Sequence, residues 1–149
     1  MFINEVNFVS IHKDVLLNWF YDASADQYYY RKLIIPSVTN LRHVIRGPEN
    51  TIILQSDSVI LHYDLSKEVV LDSIHTPATI TSIACEKESG KIAFSVFNSL
   101  VLTALDQWHT QQSVIHQAHS DRITGIAFNA NFPLVATVSW DATIKLWRY

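Results

Sequence analysis

Three side chains toward the end of the chain, His119, Ser139 and Asp141, are of the types that hydrolases join into a base, a nucleophile and a carboxylate that orients the base. That chemistry needs the hydroxyl in reach of the imidazole and open to substrate, so under this reading Ser139→Ala removes turnover and leaves the fold intact. His116 and His119 invite a second reading, as two zinc ligands. No Cys or carboxylate cluster joins them, and residues three apart on a strand point to opposite faces, so no metal site is expected. The chain has three Gly and contains no Gly-x-Gly-x-x-Gly, no phosphate loop and no His-Glu-x-x-His. No cofactor is expected.

These residues sit among alternating apolar runs. Ile123, Ile126 and Phe128 form one run, Leu134, Ala136 and Val138 a second after a turn at 129–133, and Ile144 and Leu146 a third, closed by Trp147. Such alternation predicts three antiparallel strands at 123–128, 134–139 and 143–147. A His before the first strand, Ser-x-Asp at the second turn and Thr-Ile-Lys-Leu-Trp after it resemble the WD-repeat β-propeller family, whose units of about 40–45 residues pair Gly-His near the start with Trp-Asp at the end. Ala118 stands where that pattern has Gly, and Arg148 where it has the final Asp.

The earlier part of the chain follows the same period. Residues 21, 63, 105 and 147 are each 42 apart, and they begin Tyr-Asp, Tyr-Asp, Leu-Asp and Trp-Arg. Four units follow, at 1–35, 36–75, 76–117 and 118–149. The fold expected is an all-β arc of about four four-stranded antiparallel blades, the first and last incomplete. Strands are predicted at 6–11, 15–21 and 28–35, then at 41–45, 51–54, 59–63 and 69–74, then at 80–85, 92–96, 100–105 and 113–117. By the period the first unit lacks its innermost strand and the last its outer one, as expected of the C-terminal part of a larger propeller or of one half of a split one. An open arc leaves two apolar blade faces and a bare strand edge in water, so marginal stability or self-association is expected.

The resemblance also gives the polar residues a different role. In the family the matching His, Ser, Asp and Trp form a buried network of hydrogen bonds, which for this chain implies His119, Ser139, Asp141 and Trp147 as structural residues and no enzyme. An ungapped alignment of 54–64 under 138–148 puts Gln55, Asp57 and Tyr63 at the Ser, Asp and Trp positions, with Ile35 under His119. Phe97, Ser99 and Leu105 take the Ser, Asp and Trp places in the third unit, so only the last unit carries the full polar set. Family members bind proteins through turns at the ends of their blades, which implies Trp140 and the nearby Arg122 as contact residues. Tyr28, Tyr29 and Tyr30 at the start of an outer strand form a possible aromatic patch on the rim, with two of the three expected to pack.

Composition narrows the partner class. Hydrophobic residues make up 48% of the 149 positions and charged ones 17%, with a formal net charge of −3 and no run of Lys and Arg, so direct nucleic-acid binding is not expected. The N-terminal residues lack the basic start of a signal peptide, and no apolar run reaches the length that spans a bilayer. With a single cysteine, Cys85, expected reduced, buried and inert, the default location is cytoplasm or nucleus. The function these features imply is a protein-interaction scaffold, a subunit or adaptor whose partners are other proteins.

Overall fold

The computed structural model describes residues 1–4, 7–12, 15–35 and 38–149. Fourteen strands in four antiparallel sheets make up the described residues, with no helix among them. Sheet 1 contains β1 (Phe8–His12), β2 (Val15–Asp22) and β3 (Gln27–Leu33). Sheet 2 runs from β4 (His43–Arg46) through β5 (Thr51–Gln55) and β6 (Val59–Asp64) to β7 (Val69–His75). Sheet 3 holds β8 (Ile80–Glu86), β9 (Lys91–Val96), β10 (Ser99–Ala104) and β11 (Ser113–Ile115). Sheet 4 has three strands, β12 (Ile123–Phe128), β13 (Leu134–Ser139) and β14 (Ile144–Arg148).

In every sheet the strands pair in sequence order, each a hairpin with the next. The sheets meet along one edge, β4 against β8 and β8 against β12 as the inner strands of successive blades do, while β4 lies against β1, the second strand of its unit by the 42-residue period. Beta-bulges recur at one place in the unit: the pairing of β8 shifts between Ile80 and Ser82, and that of β12 between Ile123 and Gly125. In the first unit, residues 1–3 take part of the place expected to be empty. The Met1 carbonyl accepts from the Val9 N–H at 2.7 Å, the Met1 ammonium donates to the Val9 carbonyl at 2.8 Å, and Phe2 bridges Phe8 on the inner side of β1. The start of the predicted 6–11 strand, the 12–14 turn and the 36–37 link fall wholly or partly outside the described residues.

Alternation buries one set of residues at each junction, and the core is three clusters between successive sheets. Val9, Leu16 and Leu33 meet Ile52, Leu54 and Tyr63 between sheets 1 and 2. Ile53, Ile60 and Ile74 meet Ile80, Ile92, Phe94 and Trp108 between sheets 2 and 3, and Ala93 and Leu100 meet Ile123 and Val135 between sheets 3 and 4. Each fully buried Ile, Leu or Val contributes about 1.5–3 kcal/mol, so every sheet depends on its neighbour for its stability.

The two outward faces are exposed. On sheet 4, Val138, Ile144 and Leu146 open to solvent. On sheet 1 the outward face is aromatic: Trp19 stacks on Phe8 with centroids 5.4 Å apart, Tyr28 meets Phe8 at 5.5 Å and Tyr30 meets Trp19 at 5.0 Å. Two of the three tyrosines therefore make ring contacts, yet all three remain exposed, because no further sheet covers them. Cys85 is half-buried against the second cluster rather than fully enclosed. In the turn before β5, a Cβ on Gly47 would lie 2.5 Å from the Thr51 hydroxyl, so only glycine fits there without a shift, while Glu49 takes the left-handed conformation at φ 50.

Candidate functional site

The polar residues of the last unit converge where the loop before β12 crosses the β13–β14 turn. His119 is 1% exposed and reaches across the face of β13. Its Nδ1 lies 2.8 Å from Asp141 Oδ2, and its Nε2 lies 2.7 Å from the Thr137 hydroxyl. The indole N–H of Trp147 donates to that same hydroxyl at 2.9 Å. A carboxylate only accepts, so Nδ1 carries the proton and Nε2 accepts from Thr137. Every donor then points one way, from Trp147 to Thr137 to His119 to Asp141, and each buried polar group has a partner.

Asp141 ends this chain as an anion. Hydrogen bonds hold its carboxyl far below the usual carboxylate range, first the one from the Thr143 hydroxyl at 2.6 Å and then those from His119 and from the N–H groups of Ser120 and Thr143, against an opposing push from desolvation. Lys145 closes the loop from the other side, its ammonium donating to the Ala118 carbonyl at 2.6 Å.

Ser139 stands beside this path. Its hydroxyl donates to the Asp121 carbonyl at 2.9 Å and accepts the Asp141 N–H at 3.1 Å, so it braces the turn, while the imidazole faces Thr137. The structure brings His119, Asp141 and Trp147 together through a residue that the sequence reading passed over. Thr137 lies on the phase of Val135, opposite to the Leu134, Ala136 and Val138 alternation, and it is the Val135 and Thr137 phase that the structure buries. His116 is exposed and His119 buried, so the two do not share a site, and no cluster of three His, Cys, Asp or Glu side chains able to hold a metal occurs among the described residues.

The earlier units solve the same crossing differently. In unit 2, Asp57 receives the Arg42 guanidinium and, at 3.0 Å, the Asn40 amide, so an exposed ion pair ties loop to turn. The ungapped alignment fails there by one residue: Gln55 pairs with Ile60 as Val138 pairs with Ile144, so Gln55 matches Val138 rather than Ser139. Its amide reaches the next sheet and donates to the Ile80 carbonyl at 3.1 Å. Ile35, under His119, is buried in the first cluster. In unit 3 the turn shrinks to Phe97 and Asn98 between Val96 and Ser99, which leaves no room for an anchoring carboxylate.

Above this anchor stands Trp140, 67% exposed, with the Arg122 guanidinium 5.4 Å from its ring centroid. The Trp140 N–H donates to the Arg122 carbonyl at 3.0 Å, so both side chains spring from a backbone pinned on either side. A cation over a ring face stabilises such a pair by about 0.5–1 kcal/mol at an exposed site.

Comparison with known proteins follows this geometry. Residues 110–148 match the family described as WD domain, G-beta repeat. A 69-residue stretch, 46% of the chain, is 29% identical to the guanine nucleotide-binding protein G(I)/G(S)/G(T) subunit beta-1 of Homarus americanus, of whose length it covers 20%.

Proposed function

We propose, from the similarity of residues 110–148 to the WD domain, G-beta repeat family, that this protein is a non-enzymatic interaction scaffold, a subunit or adaptor of a multiprotein complex in the cytoplasm or nucleus. The observation that carries the reading is Trp140. A large aromatic held open to solvent on a turn whose backbone is fixed by a buried polar anchor presents contact area at little entropic cost, and Arg122 beside it supplies a planar cation. His119 and Asp141 spend their hydrogen-bonding capacity inside the fold, and Ser139 on its own turn, which supports a structural role for the set that resembles a triad.

A photo-crosslinking aromatic in place of Trp140 tests this. The scaffold reading expects a defined partner to be trapped, and expects Trp140→Ala and Arg122→Ala to lose that partner with the circular dichroism spectrum unchanged. The opposing result is ester or peptide turnover by the purified chain that Ser139→Ala abolishes while the melting temperature stays the same.

A further inference from the structure

The turns between the second and third strands of sheets 2, 3 and 4 lie at the same end of their sheets, and each presents one residue at the same place. Ser56 donates its N–H to the Val59 carbonyl at 2.9 Å and Ser139 donates its own to the Thr143 carbonyl at 3.3 Å, so the residues that follow, Asp57 and Trp140, correspond. The Asp57 carbonyl accepts the Ile80 N–H at 2.7 Å and the Phe97 carbonyl accepts the Ile123 N–H at 2.8 Å, which sets Phe97 in the same series.

The three turns treat charge differently. Asp57 receives the Asn40 amide at 3.0 Å and the Arg42 guanidinium, so the cation beside that turn is neutralised within the fold. In sheet 4, Trp140 stands in place of the carboxylate, and the cation is Arg122, 5.4 Å from the indole centroid. Among the described residues the Arg122 guanidinium has no hydrogen-bond acceptor and no ion pair, and its Nε is buried without a partner. The carboxylates of the adjoining loops are spent elsewhere. Asp121 accepts the Arg122 backbone N–H at 2.6 Å, and Asp141 accepts from His119, Ser120 and Thr143.

Phe97 is 54% exposed and takes the left-handed conformation at φ 53, which suits Asn or Gly and strains a bulky residue. It stays open although the loop of unit 4 bonds to its carbonyl, so exposure at this place belongs to the turn and does not depend on whether another unit adjoins it. Ile123 is bonded to the Phe97 turn, and the neighbouring Arg122 carbonyl accepts the Trp140 N–H at 3.0 Å. A cation without an acceptor thus sits between two turns that each carry an exposed aromatic.

We propose that this surface binds a segment of a partner protein in which an Asp or Glu side chain stands next to large apolar residues. The carboxylate pairs with Arg122 as Asp57 pairs with Arg42, a planar acceptor on a planar fork, and the apolar residues cover Trp140 and Phe97. Asp121 and Asp141 add negative charge to the same loops, which favours a singly charged carboxylate over a doubly charged phosphate. The proposal rests on the scaffold reading and names the chemistry of its ligand.

The probe is a library of short random peptides displayed on phage and selected in parallel on the full chain and on its Arg122→Gln and Phe97→Asn variants. The unaltered chain should enrich Asp or Glu next to Trp, Phe or Leu, and Arg122→Gln should lose the acidic preference while keeping the apolar one. A fluorescein-labelled copy of the enriched peptide should saturate in an anisotropy titration and weaken with added salt. Replacing its acid by the matching amide, a test that needs no variant of the chain, should weaken binding about tenfold. Phe97→Asn should raise the melting temperature and weaken the peptide, whereas a residue that only held the fold would move both the same way. No enrichment, enriched sequences that are uncharged or basic, the same acidic preference on Arg122→Gln, or tighter binding with phosphoserine in place of the acid would overturn the proposal. Crosslinking at Trp140 is read separately, so a partner trapped there without an acidic segment would sink this ligand chemistry and leave the scaffold reading standing.

Discussion

Thr137→Val replaces a hydroxyl by a methyl of nearly the same size at a residue with no exposed surface. Two hydrogen bonds disappear, one to His119 Nε2 and one from the Trp147 indole. Each is worth about 1 kcal/mol net, and leaving the indole N–H and Nε2 buried without partners raises the loss to about 2–4 kcal/mol in all. Thr137→Ser keeps the hydroxyl and removes one methyl, at about 1 kcal/mol. Ser139→Ala removes the bond to the Asp121 carbonyl and the one from the Asp141 N–H, on a half-buried turn where water can replace both partners, at about 1 kcal/mol in all. Urea unfolding followed by circular dichroism, with the slope held constant across variants, ranks the three. Thr137→Val should cost at least twice as much as either of the others. If Ser139→Ala were the most damaging, or if Thr137→Val were neutral, the hydroxyl bridge would not be what holds the last sheet.

Acid should destabilise the protein through His62. Its Nε2 is buried without a hydrogen-bond partner, and burial pushes its pKa down against the upward pull of Asp72 and Asp64. The folded form therefore stays neutral where the unfolded chain takes a proton, so this contribution is complete above about pH 6.5 and is lost as the pH falls through the lowered value. Melts from pH 8 to pH 5 should show that loss, and His62→Leu should flatten it. Burial beside Glu86 pushes the Cys85 thiol up to about 12, so a disulfide reagent at pH 8 should react slowly with the folded chain and at an ordinary thiol rate in urea. Ile144→Lys and Leu146→Lys, on the open face of sheet 4, should lower the mass found by light scattering at high concentration toward 17.0 kDa, and an unchanged mass would mean that this face does not drive association.

Most strands were legible because each unit has one face toward each neighbour, and burial on both faces leaves short apolar runs broken by turns. Residues 123–128 and 134–139 fall where the alternation places them. At the start of unit 2 the strand begins at His43 rather than residue 41, because Leu41 turns into the first cluster before the ladder starts. The site was less legible, since a period fixes a position in the unit and says nothing of small changes in a turn. One residue fewer between β5 and β6 than between β13 and β14 moved Gln55 from the turn to the sheet face. Thr137 was overlooked because threonine has high strand propensity and so carries little signal in a strand. Trp108 lies outside the strand pattern altogether, and only the packing of sheet 3 on sheet 2 reveals it as the plug of that junction.

The most direct test of the structural reading of His119 is its imidazole nitrogen spectrum in the folded chain. The account predicts one tautomer, with the proton on Nδ1 bonded to Asp141 and exchanging slowly with solvent because the ring is enclosed. A ring protonated on Nε2, or one whose proton exchanges freely as a base open to substrate would, contradicts it.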